Sequence, residues 1–263
     1  MNKKKEFKNF AKLVEIMETL RGEKGCPWDK AQKREDLKTY LVEETYEVID
    51  AIDSKSDEKL KEELGDLLLQ IVFHAQISKE EGKFDIEDVS ESINEKLIRR
   101  HPHVFGNTKA KTPDVVLRNW EKIKKGEKEG KSTFEGVPKT LPALLKSYRL
   151  QEKASRVGFD WEESIEVEKK IKEEWKELKS AIKTKDKEKI REELGDLLFA
   201  VVNFSRFLKL DPEDTLQMAN EKFIKRFKKM EEKARKKGEE LHGMSLSEMD
   251  ALWEEAKKEE RKK

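Results

Sequence analysis

Two stretches of the chain read EELGDLL, at 62–68 and again at 192–198. Each follows a second acidic run, EETYE at 43–47 and EEWKE at 173–177. Residues three or four apart share a helix face, so Glu44 and Glu47 project together, as do Glu63 and Asp66. Carboxylates converging from two antiparallel helices repel one another, at about 4 kcal/mol per ionised pair for ~4 Å and an effective dielectric near 20. A divalent cation offsets that repulsion. An all-oxygen donor set suits Mg²⁺, with Mn²⁺ as the alternative, and suits zinc poorly. Di-iron bundles share the geometry but use Glu-x-x-His pairs, and none stands beside these acids. It also has no G-x-x-x-x-G-K-[ST] loop and no Ser–His or Cys–His arrangement that would point to a covalent intermediate.

The residues after each ExxD matter as much as the acids. On a helical wheel, Leu67, Leu68, Ile71 and Val72 follow Leu64 on one stripe, while the Asp66 face runs on into Leu69 and Phe73. A solvated face would run on into Lys and Glu. The carboxylates are therefore expected at the edge of a helix–helix seam, with Gly65 and Gly195 allowing close backbone approach there. His74 has no counterpart in the second copy and reads as a core histidine. Alone, EExxE in so glutamate-rich a chain is a solvated face. The ordered repeat of EExxE, ExxD and N-x-K-x-x-x-R argues for a site.

The elements that must carry these acids are helices, with no two-residue alternation marking a strand. Helical spacing is expected from Phe7 to Leu20, over 35–53 and 56–80, and from Ile86 to the break at HPHVFG. It resumes over 142–155, 163–183, 186–209, 212–237 and 245–260. The second half repeats the first: Glu43, Glu44, Glu47, Glu63 and Asp66 recur 130 positions later as Glu173, Glu174, Glu177, Glu193 and Asp196. Further on the offset is 126, as NEKLIRR at 94–100 meets NEKFIKR at 220–226. The expected architecture is all-α: two tandem four-helix-bundle domains, 1–125 and 141–263, joined by a Gly- and Lys-rich linker over 126–140. Such small units seldom bury a whole site alone, so a homodimer is expected to complete them.

Composition narrows the setting. Charged residues make up 44% of the 263 positions and hydrophobic ones 35%, yet the apolar residues cluster periodically, as in a packed helical protein. A net charge of +1 gives no global field toward nucleic acid or a membrane. There is no membrane-spanning run or signal-peptide core, and the lone Cys26 excludes a disulfide framework and a thiolate zinc site. A cytoplasmic protein is expected.

The motifs match a known pattern. EETYE…EELGD and EEWKE…EELGD, with GCPWDKAQ at 25–32, RRHPHVFG at 99–106 and VGFDW at 157–161, resemble the tandem-domain MazG family of all-α nucleoside triphosphate pyrophosphohydrolases. The resemblance covers essentially the entire chain. It implies Mg²⁺-dependent hydrolysis of nucleoside triphosphates to the monophosphate and pyrophosphate, by direct attack of water. It implies metal ligands Glu174, Glu177, Glu193 and Asp196 in the second half, and Glu44, Glu47, Glu63 and Asp66 in the first. The nucleotide site would include Lys170, Lys189, Glu192, Lys222, Arg226 and Trp253, with Glu173 or Glu192 as proton acceptor. Asn220 precedes Lys222 on the same helix and is a candidate sugar or phosphate contact. Lys222 and Arg226 are equally a solvated basic face by spacing alone, and Trp253, beside Met249 and Leu252, is equally a packing residue. In some relatives the second domain works and in others the first. Family members differ in base preference, and no residue here selects a base. Two rival readings stay open: a non-catalytic helical scaffold, and a diphosphatase of a modified or signalling nucleotide.

Overall fold

The computed structural model describes residues 7–127 and 132–260. It contains two compact units, Met1–Glu129 and Gly130–Lys263. Every regular element among the described residues is helical. The first unit carries α1 (Lys8–Arg21), α2 (Pro27–Ala31), α3 (Lys38–Asp53), α4 (Asp57–Glu80), α5 (Ile86–Arg100), α6 (Pro102–Phe105) and α7 (Pro113–Gly126). The second carries α8 (Ala143–Ser155), α9 (Ser164–Thr184), α10 (Lys187–Phe207), α11 (Pro212–Lys236) and α12 (Leu246–Glu260), with a 3₁₀ turn at Leu241–Gly243.

Local chemistry starts and stops these helices where the duplication requires. The α3–α4 and α9–α10 turns are only a few residues long, which makes each pair an antiparallel hairpin. Each turn carries a lysine in the left-handed region, Lys55 (φ 54°) and Lys185 (φ 58°), 130 positions apart. Aspartates then cap the later helices. Asp186 accepts from the Glu188 and Lys189 amides to start α10, and Asp211 from those of Glu213 and Asp214 to start α11. Asp85 and Asp88 form a capping box on α5. Each such cap contributes about 1 kcal/mol.

The first core joins α1 to the α3–α4 hairpin through Met17, Leu37, Val72, Phe73 and Ile77. In the second unit α8 packs on α10, and Val167, Leu178, Ala181, Ala200 and Val202 are buried. A separate cluster in the α11–α12 seam holds Met230, Ala234 and Leu252, with Met249 and Trp253 against it. Many large apolar side chains stay exposed, among them Tyr46, Ile49 and Ile52 on α3 and Leu194, Leu198 and Val201 on α10. No helix among the described residues is long and apolar enough to cross a membrane.

Several elements depart from the sequence expectation, among them α2 (Pro27–Ala31), which lies between the helices expected to Leu20 and from residue 35. HPHVFG was expected only as a break, yet Pro102–Phe105 forms the short helix α6 after Pro102 at its first position. The helix α7 was not expected at all. Of the linker expected over 126–140, residues 128–131 lie outside the described residues. The part that follows turns back on the second unit, where Lys153 Nζ donates to the carbonyls of Thr133 (3.2 Å) and Glu135 (2.8 Å).

Candidate active site

The α3–α4 hairpin brings Glu44, Glu47 and Glu63 together, with one carboxylate oxygen from each within 4.8 Å of the others. Glu44 and Glu63 are half-buried, while Glu47 and Asp66 are exposed. Desolvation raises the Glu44 pKa above the usual carboxylate range, and the charges of Asp66, Glu47 and Glu63 raise it further. Desolvation and the neighbouring Glu47, Glu62 and Asp66 likewise raise Glu63, against a smaller pull from Lys59. No lysine or arginine among the described residues pairs with Glu44, Glu47, Glu63 or Asp66.

The α9–α10 hairpin builds the second cluster around Glu174, which is only 5% exposed. Glu174 meets Glu193 and Asp196 within 4.8 Å, and meets Glu173 and Glu177 within the same limit. Desolvation and then Glu174, Glu193 and Glu173 raise the Glu177 pKa. Here a cation is present: Lys170 Nζ lies 2.6 Å from Glu174 and 2.8 Å from Glu173. Both clusters offer carboxylate oxygens only. Desolvation and mutual repulsion raise Glu44, Glu63 and Glu177, and an all-carboxylate oxygen set of this kind fits a hard divalent cation.

Gly65 and Gly195 overturn one expectation. A Cβ built on either meets nothing within 4 Å, so neither glycine permits a close helix–helix approach within the chain. Each leaves open space beside the acid that follows it. His74, expected as a core histidine, is half-buried, and its pKa is lowered by burial and by Arg34.

The remaining predicted residues fall in two places. Lys189 and Glu192 are exposed on the first turns of α10, close in sequence to Glu193. Asn220 and Lys222 are exposed on α11, and Asn220 Nδ2 lies 3.5 Å from Gln217 Oε1. Arg226 donates from Nε to Glu260 at 2.8 Å, and its guanidinium lies 5.6 Å from the centre of the Trp253 ring. Trp253 is half-buried and meets Phe223 at 5.2 Å between ring centres. No hydrogen bond or ion pair among the described residues ties these α11–α12 residues to the acids.

The first unit contains the same Arg–Trp–Glu arrangement. Arg100 bonds Glu127 through Nη2 at 2.5 Å and lies 5.5 Å from the Trp120 ring centre. Arg99 also donates to Glu127, and the two arginines hold that carboxyl down at about 2. The sequence reading overlooked Trp120 and Glu127. The signal was available: WEKIKKGE at 120–127 and WEEAKKEE at 253–260 repeat at an offset of 133.

Comparison with known proteins adds a second line of observation. The model of the MazG nucleotide pyrophosphohydrolase domain matches residues 32–105 and 162–230. A Thermotoga maritima protein named nucleoside triphosphate pyrophosphohydrolase/pyrophosphatase MazG is 53% identical over 250 residues, covering 94% of this chain and 95% of that protein. The Escherichia coli nucleoside triphosphate pyrophosphohydrolase is 43% identical over 255 residues, covering 95% and 97%. One from Mycobacterium tuberculosis is 38% identical over 148 residues, covering 56% and 45%.

Proposed function

This chain belongs to the MazG family of nucleotide pyrophosphohydrolases, and from that premise we propose that it hydrolyses nucleoside triphosphates to the monophosphate and pyrophosphate with a divalent cation, Mg²⁺. The observation that carries the reading is the convergence of Glu174, Glu193 and Asp196 from two antiparallel helices, with Glu174 buried. Glu174, Glu177, Glu193 and Asp196 would hold the cation in the second unit, and Glu44, Glu47, Glu63 and Asp66 in the first. The bound ion supplies Lewis acidity and cancels the charge of the phosphate chain.

The chain's own residues do the rest. Lys170 stands at the cluster with its ammonium ready to donate to a phosphate oxygen. Glu192 is the better proton acceptor of the two candidates, because Glu173 already accepts from Lys170. Lys189 and Lys222 offer further positive charge to the phosphate chain, and Asn220 a neutral donor beside Lys222. Arg226 must leave Glu260, or share it, to touch a phosphate. Exposed Leu194, Leu198 and Val201 on the outer face of α10, and Phe223 and Phe227 on α11, support a homodimer that covers them. The composition supports a cytoplasmic setting.

The test is product analysis. Purified protein incubated with each triphosphate and Mg²⁺ should release monophosphate and pyrophosphate, and chelation should stop it. Diphosphate and orthophosphate as products would contradict the reading. Asp196→Asn and, separately, Asp66→Asn then assign the turnover to a unit. A scaffold with ion-paired acids predicts no turnover in any arm, and the unpaired acids of the first unit already argue against it.

A further inference from the structure

A cavity of about 710 Å³ lies in the second unit, and Lys170, Glu174 and Asp196 are among the residues that line it. Phe134, Phe159, Trp161 and Phe199 give it apolar walls. Two buried amides, Gln151 and Asn203, interrupt that lining.

Hydrogen bonds fix which way each amide faces. Gln151 Nε2 donates to the Phe199 carbonyl at 2.8 Å, while its Oε1 is wholly buried without a partner. Asn203 Oδ1 accepts from Arg206 Nε at 2.9 Å. Arg206 is held in turn by Asp160, with Nη1–Oδ2 at 2.9 Å and Nη2–Oδ1 at 2.5 Å. Gln151 is thus left with an acceptor that the fold encloses but does not use, which a side-chain rotation would bring to the cavity, and Asn203 with its NH₂. A buried acceptor without a partner is unfavourable, so the cavity carries a polar group that the fold itself leaves unsatisfied.

The first unit shows that the fold does not require these amides. Gln151 is the one fully buried residue of α8, and Met17 is the one fully buried residue of α1. Asn203 follows Phe73 by the 130 positions that relate the two acid sets. Met17 and Phe73 pack with Leu37, Val72 and Ile77 into an apolar core. At the position that Phe73 and Asn203 share, one unit therefore holds hydrocarbon and the other an amide.

We propose that Gln151 and Asn203 read the edge of the substrate's nucleobase inside this cavity. The inference rests on the pyrophosphohydrolase reading for the second unit and adds to it the residues that select the base. Every nucleobase presents a donor next to an acceptor on its pairing edge, which one acceptor and one donor can meet. The aromatic walls offer the base a face to stack on, and the acids in the cavity's lining place the phosphates where the cation is held. Gln151 lies outside both segments matched by the family model.

The experiment titrates the full-length protein, with Mg²⁺, with AMP, GMP, CMP and UMP by calorimetry. The wild type should bind them unequally. Gln151→Met, which removes the amide at similar length, and Asn203→Asp, which keeps the acceptor for Arg206 but removes the donor, should each weaken the preferred monophosphate about tenfold and level the ranking. Melting curves verify that both variants fold. On the unaltered protein, an analogue of the preferred nucleotide lacking one edge group, such as purine riboside monophosphate in place of AMP, should lose a similar factor. Affinities and ranking unchanged in the folded variants, or an analogue bound as tightly as its parent, overturn the proposal. Turnover is followed separately. Release of pyrophosphate with base-blind binding sinks the proposal and spares the enzymatic reading, whereas base-selective binding without turnover does the reverse.

Discussion

Lys170 Nζ stands 2.6 Å from Glu174 Oε1, an ammonium group lodged inside the acid cluster of the second unit. The paired carboxylates raise the pKa of Lys170 in return. The position 130 residues earlier is Tyr40, so the first cluster has no such internal cation. The two sites therefore start from different charge states.

Removing that cation separates its two effects. Lys170→Met is expected to tighten Mg²⁺ binding at the second cluster several-fold, because the metal no longer competes with an ammonium. The same change is expected to raise KM for a triphosphate about tenfold, the low end for a charge-assisted hydrogen bond of about 1.5–3 kcal/mol. Calorimetry and steady-state kinetics read the two quantities independently. If neither moves, Lys170 is a surface ion pair and no more.

The raised carboxylates at Glu44, Glu63 and Glu177 fix a pH dependence. A carboxyl with a folded pKa above its unfolded value favours the folded state when protonated. Its contribution is lost as pH rises from the usual carboxylate value through the raised one. Above that window the metal-free clusters are held together against their own charge. The increase in Tm on adding Mg²⁺ should therefore be larger at pH 8 than at pH 5, and protons should be released on binding at intermediate pH. A metal effect on Tm that does not vary with pH would show that the ion binds elsewhere.

Arg100 and Arg226 make a matched pair for mutation. Each bonds a glutamate and lies over a tryptophan in its own unit. If both are structural, Arg100→Ala and Arg226→Ala should lower Tm comparably and leave kcat/KM alike. If Arg226 also reaches the phosphates, its variant alone should lose about tenfold or more in kcat/KM. Thermal unfolding beside kinetics distinguishes these outcomes.

Gly195 offers a test in the opposite direction. A Cβ there meets no atom, and alanine in a helix interior is favoured over glycine by about 1 kcal/mol. Gly195→Ala is thus expected to stabilise the apo protein. A simultaneous fall in turnover would show that the open space beside Asp196 belongs to the substrate or a second copy. Unchanged turnover would make Gly195 simply dispensable.

The acid hairpins were legible in the sequence because both signals were local. Helical period and turn residues define α3–α4 and α9–α10, and the duplication sets their register. The helix α7 escaped because Gly126 and the lysine run around it masked the spacing of Val115, Val116, Trp120 and Ile123. Gly65 and Gly195 were misread because a missing side chain signals close approach and open space alike. Asn203 stands out in the sequence only as the polar residue in place of Phe73, and Gln151 gives no signal at all. One buried glutamine and one buried asparagine look like ordinary helix positions until the fold sets them around a common cavity with Arg206 and Phe199 as their partners.

The contrast between Phe73 and Asn203 has a thermal consequence. The first unit has hydrocarbon at a position where the second has an amide on a cavity, so without a guest the halves should not melt together. Heating should loosen the C-terminal half first, with amide exchange around Val202 quickening before that around Val72. A nucleotide would then act as the missing piece of interior, and the heat tolerance of the working half would follow the size of the cell's nucleotide pool.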